Sequence, residues 1–577
     1  MAADGRVEAP APTGGTAANN GWLWLNLFRS FQVALDPRKL FVAALGILVM
    51  SLGWWLLSVT FMAGYSRQPI RDDYAKEKLV GWGVKPPQEK PTDAEIDAFY
   101  EAEKERQYQR AVARYRTLEE LAGEGGKLRT LPWNEFRGKN PYLFASDLSS
   151  SPSATWGGQI LTYFSEQIPV LTEPLQKLLL PVLKLSDPNA STYTRIYLVL
   201  CLAWSIATWA FFGGVITRLA AVQFNGKERT TLKQAVKFVL SRYISYVLSP
   251  TFPLAVVAII VLLMAVYGLV ALIPIVGDVL LYGLLFPLIV FGGIAIAVIL
   301  LGLIGYPLMY ATISVEGSDT FDAVSRSYNY VFQAPWSFLW YSFVALVYGA
   351  AVSFVVILLG CVMVGLGKGA VSIPASAVYE PRKPDFMFVY APESLGWKEL
   401  LLRGTPLEVK YHPKPTDEQQ AANKRELELA QKPHKDLPSG YQPTDPKQSD
   451  AYMKEMTWSN YAGAGIAWFW MVLVFLLMIG FTYSFFWTSA TMIYLLMRKK
   501  VDEVEIDEVY IEETPPTPPI PPAPTTPVAP TAPSGPSGGT SLPVVPPPPA
   551  VGPTPPPPAS TPMVAEDTAP PSPPAAS

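Results

Sequence analysis

The charges of this chain are segregated. No Asp, Glu, Lys or Arg occurs between Leu40 and Ser66, nor within 196–217, 243–277, 279–315, 327–367 or 456–497. Each interval holds the roughly 20 residues that one helix needs to cross a hydrocarbon core. In lipid, backbone polar groups must be bonded within the segment, so such runs fold as helices. Only 16% of the 577 residues are charged and 50% are hydrophobic, whereas about a quarter are charged in a soluble domain. The pattern predicts an all-α, polytopic helical membrane protein. It would have about six transmembrane helices, two extracytoplasmic segments and a disordered tail. A net charge of −3 gives no basic excess for nucleic acid, and two cysteines, Cys201 and Cys361, rule out a disulfide framework. Both lie in apolar intervals and read as small buried side chains.

The predicted order along the chain is as follows. Residues 1–39 form a cytoplasmic N-terminal segment with an interfacial helix, and 40–63 the first transmembrane helix. Residues 64–194 form an extracytoplasmic segment with a helix, and 195–366 a four-helix transmembrane core with cytoplasmic amphipathic helices. Residues 367–464 are an extracytoplasmic Pro-rich segment, 465–496 the last transmembrane helix, and 497–577 an acidic, then Pro-rich, disordered cytoplasmic tail. Within the core the spans fall near 195–217, 252–273, 279–305 and 336–366. The first apolar run is longer than a signal-peptide core and reads as an uncleaved anchor. Trp54, Trp55, Tyr193, Trp336, Trp340, Trp458 and Trp468 stand near span ends, as interfacial aromatics do.

Orientation follows from a short loop. The stretch 218–242 carries six basic residues and one acid, Glu228. The positive-inside rule makes it cytoplasmic, and with six spans both termini are cytoplasmic. The segments 67–195 and 368–455 then lie outside. Each is charge-balanced, with 18 basic and 18 acidic residues in the first and 13 of each in the second.

The first outer segment predicts a helix over Asp93–Ala122, capped by Thr92 or Asp93 and apolar along Ile96, Phe99, Tyr100, Tyr108, Val112, Tyr115, Leu118 and Leu121. That face serves either a partner or, preferably, its own small domain. Residues 160–185 are Leu-rich but broken by Pro169, Pro174 and Pro181, which places them at the outer interface. In the second outer segment, Ser372–Tyr379 and Phe386–Tyr390 read as short strands and Ala421–Lys432 as a charged helix. Of the 64 residues from Thr514 to Ser577, 26 are Pro, too many for a packed core. Pro546–Pro549 and Pro555–Pro558 read either as polyproline docking sites for cytoplasmic partners or as parts of an inert tail.

Catalytic, cofactor-binding and metal-ligating sets are not found, and the chain does not read as an enzyme. His412 and His434 are distant and lack companion ligands. Gly535-Pro536-Ser537-Gly538-Gly539 has the spacing of a nucleophile elbow but not its strand–turn–helix setting. Gly365-Leu366-Gly367-Lys368-Gly369 reads as a span terminus. Apart from Arg195 at the edge of the second, the predicted spans contain no Asp, Glu, Lys, Arg or His, the usual flag of an ion pathway. Asp278 reads as a helix N-cap between two spans, Pro287 and Pro307 as kinks, and Gly292, Gly293, Gly302, Gly305, Gly349 and Ala350 as sites of close helix approach.

A pseudo-repeat stands out. Thr231–Pro250 and Asp319–Pro335 share Ala-Val, Ser-Arg, an aromatic Tyr-Val pair and a proline before a span. Leu232, Ala235, Val236, Val239, Leu240 and Tyr243 make one helical face in the first. Phe321, Val324, Tyr328 and Val331 make one in the second. Each predicts an amphipathic helix at the inner interface, ended by its proline.

The stretch Ser314–Phe332 with Pro335-Trp336, and the ending Ile493–Tyr510, resemble uncharacterised multi-pass membrane proteins of planctomycete-type bacteria. This resemblance covers roughly 195–350 and 485–513 and implies a bacterial inner membrane, with no activity attached. More distantly, the elbow-then-span pattern is similar to the membrane domain of bacterial glycerophosphodiester phosphodiesterases, whose catalytic domain has no counterpart in this chain. The expected function is membrane-organising or partner-recruiting. The alternative is a permease for a neutral or lipid-like substrate. The expected partners are the lipid bilayer and cytoplasmic proteins bound through 514–577.

Overall fold

The computed structural model describes residues 20–62, 69–86, 92–122, 131–188, 190–226, 230–378, 384–412, 417–429 and 440–511. The Pro-rich stretch 514–577, its Gly535–Gly539 motif and His434 lie outside the described residues. Of the described residues, 82% are helical. The chain is a multi-pass helical membrane protein, and among the described residues six helices are long and apolar enough to cross a bilayer. The spans are Pro37–Phe61, Thr192–Asn225, Tyr243–Val270, Phe286–Leu303, Pro335–Ile373 and Trp458–Val501, numbered first to sixth below.

Their ends follow local chemistry. Ser191 caps the second span by accepting from the Thr194 N–H, and Gly226 closes it at φ +71°. Arg498, Lys499 and Lys500 fill the last turn of the sixth, where cations complement the helix dipole. Close approach needs glycine at two kinds of contact: a Cβ on Gly349 would meet Phe485 at 2.5 Å, and one on Gly302 would meet Tyr328 at 2.2 Å.

The first, second and sixth spans form the core, together with a buried helix, Tyr306–Glu316, that continues the fourth span after a break at Ile304–Gly305. Stacked rings fill it. Trp209 lies on Tyr483 at 4.8 Å and Tyr310 on Trp487 at 5.2 Å. Below them the Tyr246 and Thr217 hydroxyls both share hydrogen bonds with Ser314, at 2.7 and 2.6 Å.

One face of the bundle gathers Pro37, Asn225, Tyr243, Glu316 and Val501, and is called the basic face here. It carries both pseudo-repeat helices, at Leu232–Ser241 and Thr320–Gln333. Both are amphipathic, but their seams differ from the expected ones. In the first, Ala235, Phe238 and Val239 are buried while Leu240 is 59% exposed. In the second, Ala323, Ser327, Tyr330 and Val331 are buried and Phe321 is exposed. The first elbow also turns earlier than its proline. Arg242 breaks the helix at φ −118°, ψ 15°, and Pro250 and Pro253 sit inside the third span. Pro335 does stand at the boundary, starting the fifth span after Ala334. Pro287 and Pro307 likewise start helices, where proline's missing N–H costs nothing, and do not kink them. Asp278 lies in the first turn of a wide helical turn, Val276–Leu284, whose cap position is Ile275.

The N-terminal stretches Asn20–Phe28 and Arg29–Ala34 run along the fifth and sixth spans. Phe28 meets Tyr348 at 4.6 Å and the Ser484 hydroxyl donates to the Ala34 carbonyl at 2.7 Å.

The opposite face, the cap face, bears the two long segments. Helix Asp93–Ala122 packs on its own neighbours: Tyr108 meets Tyr74 at 6.4 Å, and the Tyr100 hydroxyl donates to the Val84 carbonyl at 3.0 Å. The expected strands are corrected. Ser372–Val378 continues the fifth helix and Pro384–Phe388 is a 3₁₀ turn. The strands are Val409–His412 and Gly440–Pro443, antiparallel, with Val409 opposite Pro443. The charged helix is present at Asp417–Leu429.

Candidate functional site

The segment expected at the interface enters the bundle. Helices Trp156–Leu171 and Glu173–Leu185 are joined by Thr172 alone, and Pro174 preorganises the first turn of the second. This hairpin wedges between the second, fifth and sixth spans. Its tip residue Leu171 is 3% exposed and packs on Phe485 beside Gly349. The buried Tyr306 hydroxyl donates to the Pro174 carbonyl at 3.0 Å. Phe485 stands about 20 Å along its helix from Arg498, well inside the last charge-free interval, so the tip lies at membrane depth. Three prolines make the segment unfit to span, and packing inside a protein-lined cleft lets it enter all the same.

The hairpin brings charge with it. Arg137, from the stretch leading to helix Pro141–Ser150, donates to both oxygens of Glu173, Nε at 3.1 Å and Nη2 at 2.9 Å. Its Nη1 donates to the Pro132 carbonyl at 2.6 Å and to Ser394 Oγ at 3.1 Å, and Nη2 also reaches Glu135 at 2.5 Å. Lys177, one turn beyond Glu173, pairs with it and with Glu135 at 3.5 Å. The Lys177 ammonium lies 5.9 Å from the Trp54 ring centroid. Trp54, expected near a span end, sits instead near the middle of the first charge-free interval, and its ring N–H donates to the Cys201 carbonyl and to Ser205 Oγ. Arg137 and Glu173 are 4% and 7% exposed. Two cations therefore face two anions, with Arg137, Lys177 and Glu173 buried and Glu135 half-buried, each with more than one partner, which is the arrangement that makes buried charge tolerable.

A second joint lies beside this cluster. Asn140 caps helix Pro141–Ser150 through Oδ1, while its Nδ2 donates to the Leu395 carbonyl at 2.9 Å and to Cys361 Sγ at 3.3 Å. Leu395 holds φ +54°, a left-handed conformation unusual for leucine. Ser394 and Leu395 thus lock the second cap segment onto the first, and both onto the fifth span.

The basic face carries its own ion network. Glu316 pairs with Arg326 at 2.9 Å and Arg498 at 3.4 Å and accepts from the Tyr494 hydroxyl at 2.5 Å. Burial works against the Arg326 charge, but Asp322 and Glu316 outweigh it and raise its pKa. The acidic stretch after the sixth span, expected to belong to the tail, is seated here as far as Ile511. Arg498 donates to the Glu505 and Glu508 carbonyls at 3.0 and 2.5 Å, and Arg218 to the Tyr510 carbonyl at 2.8 Å. The Tyr510 N–H donates to the Val315 carbonyl at 2.7 Å. Arginines near helix ends thus bind backbone oxygens of the acidic stretch. A cavity of about 610 Å³ lies between this flap and the helix ends, lined by Asn225, Glu316, Arg326 and Arg498.

The ion cluster at the hairpin tip is what sequence reasoning missed. Its charges arrive from outside the spans, on the stretch before helix Pro141–Ser150 and on helix Glu173–Leu185. Glu173 and Lys177 at i, i+4 in a Leu-rich stretch opened by Thr-Glu-Pro were the available signal. Of the residues singled out beforehand, Cys201 and Cys361 are buried free thiols and His412 ends a strand. Comparison with family models, curated proteins and solved structures gives no match.

Proposed function

We propose that this is a membrane-organising, partner-recruiting protein and not an enzyme. The observation that carries this reading is the exposure of the third and fourth spans. Only 6% and 11% of their apolar windows are buried, against 50% or more in the first, second and sixth. They form a helical hairpin tied to the bundle near its base, where the Tyr328 hydroxyl donates to the Ile299 carbonyl and Phe252 meets Phe321. Such a hairpin is a lateral platform for a neighbouring membrane protein, while 514–577 serves cytoplasmic partners. The cap, fixed through Arg137 and Asn140, is a rigid outer head. The resemblance to planctomycete-type proteins supports a bacterial inner membrane as its location. The basic loop at 218–242 and Arg498-Lys499-Lys500 support a topology with both termini in the cytoplasm. Cysteine labelling at Ser149, Ser439 and Ser534 in intact cells tests that orientation.

Photo-crosslinkers at Leu263 and Phe291 test the function. Capture of discrete membrane proteins at both positions, retained after deletion of 512–577, is the expected result. Crosslinks to lipid alone, with an unchanged partner list on tail deletion, would overturn the reading in favour of the permease alternative.

A further inference from the structure

Beside the hairpin tip lies an apolar cavity of about 210 Å³ between the hairpin and the fourth, fifth and sixth spans. Its floor is made by Leu171, Leu308, Ala345, Phe485 and Ala490, all buried. Its mouth opens sideways between Ile304 and Leu339, which are 40% and 54% exposed. Two of the three hydroxyls on its lining are already committed, Thr172 donating to the Ile168 carbonyl and Ser489 to the Phe486 carbonyl, which leaves Ser342 as the one polar group on the fifth-span wall. The cavity therefore offers a ligand shape and dispersion contact, and little else.

Depth decides what enters. Leu339 stands about 6 Å and Leu346 about 16 Å along the fifth span from Pro335, at 1.5 Å per residue. The mouth thus opens near the interfacial end of the fifth span, level with Trp340, and the cavity runs from there to hydrocarbon depth at Leu346, where lipid chains are the neighbours on offer. An apolar cavity of roughly 150 Å³ stays dry and is already large enough for a benzene-sized ligand. An unfilled one forfeits the dispersion contacts of its lining. We propose that this cavity is a binding site for one acyl chain of a membrane phospholipid, entering between the fourth and fifth spans and ending against Leu171 at the hairpin tip. The inference stands apart from partner recruitment, since it rests on the cavity at the hairpin tip and not on the exposed faces of the third and fourth spans.

Native mass spectrometry of the full-length protein released from detergent micelles tests it. The wild-type protein is expected to keep one phospholipid mass under activation that strips the micelle. Ala345→Trp, which fills the floor, and Leu339→Trp, which blocks the mouth, should each lose that mass while keeping the wild-type elution volume and helical circular dichroism. Leu263→Trp, on the exposed hairpin, should keep it. A free fatty acid mass in place of the phospholipid would overturn the assignment of the source. Persistence of the adduct in Leu339→Trp, the variant that leaves the packed floor untouched, would overturn the site, as would a wild-type protein that carries no lipid.

Discussion

Arg137 and Glu173 meet through two parallel hydrogen bonds, of 3.1 and 2.9 Å, at a depth where the spans themselves carry no charge. One residue belongs to the cap and the other to the hairpin tip. Breaking a buried pair from one side leaves an uncompensated charge and costs about 3–5 kcal/mol. Glu173→Gln and Arg137→Met should each lower thermal stability in detergent or nanodiscs by an amount in that range. The double variant Arg137→Met/Glu173→Met should recover much of the loss, because Lys177 still has Glu135. A double variant as unstable as the sum of the singles would count against the pairing.

The boundary of the functional tail is predicted to lie after Ile511. Deleting 512–577 should leave insertion and melting temperature unchanged. Deleting 502–577 should destabilise the bundle, since Arg498, 4% exposed, loses the Glu505 and Glu508 carbonyls and Arg218 loses that of Tyr510. Each buried donor left unpaired costs about 1–3 kcal/mol. Equal melting temperatures for the two truncations would contradict this.

On the first elbow, Phe238 is the residue that matters. It is 3% exposed and lies between the guanidinium groups of Arg218 and Arg242, at 3.9 and 4.3 Å from its ring centroid. Phe238→Ala should cost about 3–5 kcal/mol. Leu240→Ala, at an exposed position, should cost well under half of that. Comparable losses at the two sites, measured by thermal unfolding, would disprove the assigned helix face.

Asp36 gives a pH dependence. Burial tends to raise its pKa, but hydrogen bonds from Arg38 and Gln223 outweigh that and hold it below 3.8. A lowered carboxylate pKa contributes stability that is complete above the ordinary value and lost as pH falls through the lowered one. The stability gap between wild type and Asp36→Asn should therefore be constant from neutral pH down to about 5 and shrink below the usual carboxylate value near 4. A gap that is constant down to pH 2 would show that the Asp36 charge contributes nothing.

The spans were legible because lipid imposes one solution on an uncharged apolar run. The helices Pro37–Phe61 and Trp458–Val501 fall on the charge-free runs that begin at Leu40 and at residue 456, with little room for error. What could not be read was set by contacts between distant segments. Pro169 and Pro174 read as disruptions, yet they frame a hairpin whose tip is covered by Phe485 and Tyr306. Arg137 had no visible partner, because Glu173 and Ser394 reach it only through the folded cap. Phe238 was passed over for Leu240 because a ten-residue helix supports more than one apolar seam, and the choice was made by Arg218 and Arg242.

The depth of the hairpin is the claim on which the rest depends, and spin labels measure it directly. Labels at Leu161 and Ile168, both exposed on the first hairpin helix at 73% and 40%, would be placed in the full-length protein with Cys201 and Cys361 replaced, reconstituted in bilayers. Collision with oxygen, which concentrates in hydrocarbon, should rise from Leu161 to Ile168, and collision with a water-soluble nickel chelate should fall. Equal, high accessibility of both labels to the chelate would place the hairpin outside the membrane and contradict the account.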